Sequence, residues 1–320
     1  PECEAEYLDP GDRRFHAEPV ACAKCGPQLH FEEPGCETVT ANNAALGRAV
    51  AAIRDGSIVA VKGIGGYHLV CDALNDEAVA TLRERKRRPD KPLAVMFPVA
   101  GTDGLDIARG YVAFTYEEAA LASGPIRPIV LARRKASCAL AGNVAPGLDE
   151  VGVFLPYSPL HQLLLDALGG PVVATSGNIS GEPVLTDNGE AARRLRPVAD
   201  AFLQHNRPIV RPADDPVYRR IAGTMRPLRI GRGCAPRELE LPYSQREPVL
   251  AVGGHMKGTV ALSWDNRVVV SPHIGEMDSP RSLDVFEQVA SDLQDLYGVR
   301  ANRVVCDAHP GYTTHRWAQR

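Results

Sequence analysis

Ile58-Val59-Ala60-Val61-Lys62-Gly63-Ile64-Gly65-Gly66-Tyr67-His68-Leu69 is an apolar run that ends on a lysine and opens into glycines. A short apolar run bounded by turn residues reads as a buried strand. Glycines after a strand let backbone approach a phosphate. Neither G-x-x-x-x-G-K-[ST] nor G-x-G-x-x-G is present, so a tight bend explains them equally well. Lys62 is the informative residue, because a buried strand rarely ends in an unpaired charge.

Working outward, Asn42-Asn43 precede a helical pattern over 44–55, with Ala45, Leu46, Ala49, Val50 and Ile53 on one face and Gly56 as its stop. Asn75-Asp76 open a second helix that Pro89 ends. Pro92 to Phe97, Ile129 to Ala132, Gly152 to Leu155 and Val172 to Thr175 read as strands, with helices near 159–168 and 187–196. This mixture predicts an α/β domain over 39–242, built on a twisted open sheet. A proline-rich join follows. Beyond it, 248–320 starts a second pattern: a strand at Val249 to Val252, a hairpin turning at Asp265-Asn266, and a helix over about 280–297. That pattern reads as the beginning of a further, truncated domain.

The 320 residues carry a net charge of −3, with 44% hydrophobic and 23% charged residues. These values exclude a disordered chain and disfavour a nucleic-acid binder that works by bulk positive charge. No apolar run is long enough for a membrane span, and the first twenty residues contain no signal-type apolar core. A cytoplasmic protein is expected.

Cys22-Ala-Lys-Cys25 is a C-x2-C knuckle, and 18 residues separate it from Cys3, which follows Pro1-Glu2. A cysteine just before Pro1 would complete a four-sulfur set at a spacing typical of structural zinc, with Zn–S distances of about 2.3 Å. Cys3, Cys22 and Cys25 are the expected ligands of a small module over 1–38, truncated at its N-terminus. A disulfide or free thiols are the alternative, and the lack of a secretion signal argues against the disulfide.

Two further stretches carry charge and hydrogen-bonding groups. Lys86-Arg87-Arg88-Pro89-Asp90-Lys91-Pro92-Leu93 places Lys86, Arg88 and Lys91 around a helix stop. The helix dipole accounts for one or two such cations; three can neutralise a triphosphate. Thr175-Ser176-Gly177-Asn178-Ile179-Ser180-Gly181 follows an apolar strand. Its hydroxyls, amide and glycines suit a phosphate or a nucleobase, although a polar turn is also common there.

Together these stretches resemble the YrdC family, whose motifs K-x-R-P…(K/N)PL and S-x-N-x-S-G match Lys86-x-Arg88-Pro89…Lys91-Pro92-Leu93 and Ser176-x-Asn178-x-Ser180-Gly181. Two stretches differ from the threonylcarbamoyl-AMP synthases of that family. One is Lys62-Gly63-Ile64-Gly65-Gly66-Tyr67; the other is Gly152-Val153-Phe154-Leu155-Pro156, where the usual arginine is Phe154. The fuller series is similar to the HypF family of carbamoyltransferases in [NiFe]-hydrogenase maturation. It comprises Asp12 to Pro19, Cys22-x-x-Cys25-Gly26-Pro27, Lys62 to Leu69, Leu155 to His161, Thr175 to Pro183, Ala251 to Gly254, Ser271 to Glu276 and Asp307 to Tyr312.

The resemblance implies a zinc-knuckle module, a YrdC-like domain and the start of an actin-like-ATPase-fold domain. It implies that carbamate derived from carbamoyl phosphate reacts with ATP and Mg²⁺ to give carbamoyl-AMP, and that the carbamoyl group passes to a C-terminal cysteine of a HypE-like acceptor. Lys62, Lys86 and Arg88 are then the expected catalytic cations. Lys86, Arg88, Lys91, Ser176, Asn178 and Ser180 are expected to hold the nucleotide, with Arg211 and Arg232 as further clamps; surface charge is the plainer reading of the last two. His309 and His315 read as surface or packing histidines. The competing readings are an RNA- or protein-binding module, a threonylcarbamoyl-AMP synthase-like enzyme and an antibiotic O-carbamoyltransferase.

Overall fold

The computed structural model describes residues 2–17 and 24–320. A short helix, α1 (Glu2–Leu8), precedes β1 (Leu29–Glu32), α2 (Asn42–Arg54), β2 (Val59–Lys62) and β3 (Tyr67–Asp72). Then come α3 (Asp76–Arg85), β4 (Ala94–Met96), β5 (Val112–Ala113), α4 (Tyr116–Ser123), β6 (Ile129–Arg134), β7 (Glu150–Phe154), α5 (Pro159–Leu168), β8 (Val172–Ser176), α6 (Asn188–Leu195) and β9 (Ala201–His205). A hairpin of β10 (Val217–Ile221) and β11 (Thr224–Arg229) follows. The remainder is β12 (Arg237–Glu240), β13 (Val249–Ala251), β14 (Ala261–Trp264), β15 (Arg267–Val270), α7 (Pro280–Tyr297), β16 (Arg303–Val305) and α8 (Thr313–Ala318).

Among the described residues, the larger sheet runs β1-β9-β2-β3-β8-β4-β7-β6-β10-β11, with β5 beside β6. Side chains alternate across it, as the pleat requires. Ala60, Tyr67, Leu69, Cys71 and Val173 pack with Val79 and Leu82 of α3 and with Ala191 and Leu195 of α6. Val59, Val61, Val70 and Ala174 pack with Ala49 and Ile53 of α2 and with Leu164 and Leu165 of α5. The result is a helix–sheet–helix sandwich, the α/β class expected. Each fully buried aliphatic side chain contributes up to about 1.5–3 kcal/mol. The smaller sheet, β12-β15-β14-β13-β16, packs under α7 through Leu250, Leu262, Val269, Phe286, Ala290 and Leu293.

Three details differ from the expectation. Helix α2 starts at Asn42, not 44, because Asn42 does not cap it: its Oδ1 accepts from Leu29 N at 2.7 Å. Leu29–Glu32, expected in the small N-terminal module, pairs antiparallel with β9 as the edge of the large sheet. Arg237–Glu240, expected in the central domain, pairs with β15 of the second sheet. Both seams are therefore shared strands. Among the described residues, no helix is long and apolar enough to cross a membrane.

Candidate active site

Asn75 caps α3 by accepting from Glu77 N and Ala78 N, both at 3.0 Å. At the other end Lys86 is the C-cap, Arg87 takes φ 51°, and Arg88 N returns to Arg83 O at 2.9 Å. Pro89 then forbids continuation. Buried Arg83, which the sequence reading overlooked, holds this turn. Its Nη1 donates to Arg88 O at 2.8 Å, Pro89 O at 2.9 Å and Lys91 O at 3.2 Å. An arginine three residues before the motif lysine, on a helix face that is otherwise apolar, was the available signal.

So fixed, Lys86 and Arg88 both reach the end of β8. Buried Lys86 Nζ donates to Ser176 O, to Asn178 O at 3.2 Å and to Asn178 Oδ1 at 2.9 Å. Arg88 Nη1 lies 3.5 Å from Thr175 Oγ1, and its Nη2 donates to Pro92 O at 2.8 Å. Burial, helped by the neighbouring charges of Arg88 and Lys91, lowers the Lys86 ammonium to about 7. Burial, with Arg83 and Arg229, lowers Arg88 to about 10. Lys91 is also lowered, by burial and then by Arg88 and Arg229. Asp214 opposes these cations: it favours the charged form of both Lys86 and Lys91, and its Oδ1 is 3.9 Å from Arg229. Burial first, and mutual repulsion second, thus disfavour the charged forms of Lys86, Arg88 and Lys91, while Asp214 and, for Lys91, Glu276 favour them.

The loop after β8 is fitted to that rim. Gly177 N donates to Tyr67 O at 2.6 Å, and a Cβ on Gly177 would lie 2.8 Å from that oxygen, so glycine is required there. Ser176 Oγ donates to Asn178 Oδ1 at 2.8 Å, and Asn178 Nδ2 donates to Glu182 O at 2.6 Å. Ser180 is exposed on the same loop.

Lys62 is not brought to this rim. It is buried, and its Nζ donates to Asn188 Oδ1 at 2.6 Å, Arg207 O at 2.8 Å and His205 O at 3.2 Å. Arg211 is exposed and pairs with Asp292 of α7 at 2.5 Å. Arg232, for which surface charge was the plainer reading, is instead half-buried and fully engaged. Its Nε donates to Asp215 Oδ1 at 2.6 Å, Nη1 to Ile126 O at 2.7 Å and Nη2 to Arg127 O at 2.8 Å, and its Cζ lies 3.1 Å from the centroid of the Tyr157 ring.

Arg232 belongs to a polar cluster that the sequence reading did not assemble. Asp215 Oδ2 lies 2.9 Å from His68 Nε2, and the His68 ring faces Tyr157 and His161. Burial alone would raise the Asp215 carboxyl, but the His68 hydrogen bond and the charge of Arg232 hold it well below the usual range. Burial lowers His161 to about 3. Ser158 caps α5 and so sets His161 in its first turn; the Ser158-Pro159 start was the legible sign.

Among the expected zinc ligands, Cys3 is half-buried on α1, Cys25 is exposed, and Cys22 lies outside the described residues. Among the described residues no three histidines, cysteines or acids are placed to share a metal. His309 stacks on Tyr312, and His315 Nδ1 lies 2.8 Å from Asp307 O, so both serve packing.

A mixed α/β sheet with cations and a Ser–Asn loop at one strand end is the arrangement of the Sua5–YciO–YrdC class, and that family's model, described as telomere recombination, matches residues 51–231. The HypF finger matches residues 1–32, and the HypF Kae1-like domain matches 244–320. The carbamoyltransferase HypF of Synechocystis sp. is 46% identical over 367 residues, covering 99% of this chain and 47% of that protein. The carbamoyltransferase HypF of Rhodobacter capsulatus is 44% identical over 318 residues, covering 99% and 41%. The crystal structure of a full-length HypF in its phosphate- and nucleotide-bound form superposes with a TM-score of 0.90 at 41% identity, covering 99% of this chain and 41% of that one. The chain belongs to the HypF family and spans less than half the length of these relatives.

Proposed function

We propose that the chain forms part of a carbamoyltransferase of hydrogenase maturation and that its central domain makes carbamoyl-AMP. A carboxylate oxygen of carbamate attacks the α-phosphorus of ATP, the bond to the bridging oxygen breaks, and pyrophosphate leaves. The physical obstacle is one anion approaching a polyanion. Lys86, Arg88 and Lys91 offset that repulsion, aided by Arg229, which the sequence reading did not include. Ser176, Asn178 and Ser180 line the loop that would hold phosphate and adenosine groups, and Mg²⁺ carried by the nucleotide supplies further charge neutralisation. The buried, mutually repelling cations at the Ser176–Asn178 loop carry this reading.

Around that step, carbamoyl phosphate is the source of carbamate, a HypE-like protein is the acceptor, and the setting is cytoplasmic. Zinc held by Cys3, Cys22 and Cys25 would brace the finger, and thiolate donors at C-x2-C spacing suit it. Lys62, tied to Asn188 and two carbonyls, is assigned a positioning role: it clamps the end of β2 to α6 and β9.

The test is carbamate-dependent exchange of labelled pyrophosphate into ATP. Lys86→Ala and Arg88→Ala are each expected to lower exchange by about 10²–10³-fold, with zinc content unchanged. Exchange retained in both variants overturns the site.

A further inference from the structure

Three histidine rings gather around one glycine at the start of the Gly63–Gly66 turn. A Cβ at position 63 would lie 3.5 Å from both His68 Nδ1 and His161 Cε1, and His205 Nε2 is 3.2 Å from Gly63 O. His161 is 1% exposed and His68 is 7% exposed. Nevertheless His68 Nδ1 and both ring nitrogens of His161 are buried without a hydrogen-bond partner. Buried polar atoms are normally satisfied, so three unpaired nitrogens on the two rings beside Gly63 mark a place where a polar molecule belongs.

The chemistry of that molecule follows from the partners already engaged. The Asp215 carboxylate, 2.6 Å from Arg232 Nε and 2.9 Å from His68 Nε2, accepts from both and so places an N–H on His68 Nε2. In the ring that carries this single proton, Nδ1 is the acceptor. His161, kept neutral by burial, offers one N–H and one lone pair. The site therefore presents an acceptor beside a donor, and its one guanidinium is already neutralised by Asp215. That set suits a small planar group with an N–H to give and a C=O to accept. His68 stands directly opposite Ser176 across the β3–β8 pair, so its ring lies on the same sheet face as the Ser176 side chain.

We propose that His68 and His161, beside Gly63, form the subsite that receives the carbamoyl group and selects it by its amino end. His68 Nδ1 accepts from the amino N–H, His161 donates to a carboxylate oxygen, and the reacting oxygen is turned toward Ser176 and the Lys86 rim. The assignment rests on the adenylate-forming reading of that rim. It adds the residues that distinguish carbamate, whose carboxylate carries an amino group, from acetate, which has a methyl group where the donor should be. Acetate would leave His68 Nδ1 unpaired, and a site built to bond an N–H rejects such an analogue strongly.

The test is a titration of the whole chain, labelled with ¹⁵N-histidine, against ammonium carbamate, with bicarbonate, ammonium chloride and sodium acetate as separate controls. Saturable shifts of the His68 and His161 ring nitrogens are expected, with carbamate bound at least about tenfold more tightly than acetate. Absence of a saturable shift, or equal affinity for acetate, overturns the subsite. Pyrophosphate exchange on the same samples separates the two readings. Shifts without exchange support the subsite and remove the adenylation step; exchange without shifts keeps that step and overturns the subsite. His161→Phe adds a second readout: KM for carbamate should rise at least about tenfold with KM for ATP unchanged. An unchanged carbamate KM also overturns the proposal, and if that variant does not fold, the wild-type titration decides.

Discussion

Lys62 and Lys86 are both buried, and each amine meets three oxygens. Their surroundings nevertheless differ in kind. Lys62 ends among neutral groups, Asn188 Oδ1 and two carbonyls, with Asp187 favouring its charge. Lys86 also ends on neutral oxygens, with Asp214 favouring its charge, but Arg88 and Lys91 stand close enough to oppose it. The first arrangement is closed: the amine satisfies oxygens that would otherwise be orphaned. On the proposed reading the second is open, because neighbouring like charges favour an incoming anion. Burial alone therefore does not mark a functional lysine; like-charged neighbours do.

The widest separation between the two should appear in pyrophosphate exchange and unfolding measured side by side. Lys86→Met is expected to lose about 10²–10³-fold in exchange by the folded fraction, beyond a stability loss of about 1–3 kcal/mol for the oxygens it leaves unpaired. Lys62→Met is expected to lose about 1–3 kcal/mol in denaturant unfolding, the cost of leaving buried oxygens unpaired, while exchange by the folded fraction stays within about threefold of wild type. A Lys62→Met chain that is stable but inactive would erase the contrast and return Lys62 to the reaction.

The two lysines also show what the sequence could reveal. Lys86, Arg88, Ser176 and Asn178 were legible because each sits within two residues of a helix stop or strand end, where local chemistry fixes direction. Lys62 looked equivalent, since it also ends a strand. Its partners, however, are Asn188, His205 and Arg207, from elements more than a hundred residues away. Arg232, expected as a nucleotide clamp with surface charge as the plainer alternative, was hard to place for the same reason, because Asp215, Ile126 and Tyr157 engage it from separate elements. The histidine cluster unites β3, α5, β9 and the strand-edge residue Asp215, and no spacing rule joins those. The α/β class was readable from alternating strand and helix patterns. The shared strands β1 and β12 were not, because an edge strand is chosen by its partner.

A smaller effect tests the open site through protons. With its ammonium lowered to about 7, Lys86 is largely neutral above that pH in the empty site. Nucleotide binding restores the charge, so binding takes up a proton. The dissociation constant for ATP should be nearly flat below pH 6.5. Above pH 7 it should rise by up to about tenfold per unit. Calorimetry at pH 8 in buffers of different ionisation enthalpy should read close to one proton taken up. Lys86→Arg, which stays charged, should remove that uptake. Uptake that persists in Lys86→Arg assigns the proton elsewhere and breaks the claim that burial, helped by Arg88 and Lys91, tunes this amine.

The smallest effect belongs to Arg211, a cation outside both environments. Its guanidinium is 61% exposed and reaches Asp292 of α7, so it links the large sheet's domain to the following one through a solvated pair. Asp292 raises its pKa, first through the hydrogen bond and then through charge, so nothing here crowds it toward neutrality. Exposed pairs contribute about 0–1 kcal/mol. Arg211→Ala should therefore shift unfolding by less than about 1 kcal/mol and leave ATP affinity within about twofold, with Asp292→Ala giving the same small change. A tenfold loss of ATP affinity in Arg211→Ala would place this arginine on the nucleotide after all. The two-lysine contrast would then be incomplete, because a cation that is neither buried nor crowded would also serve the site.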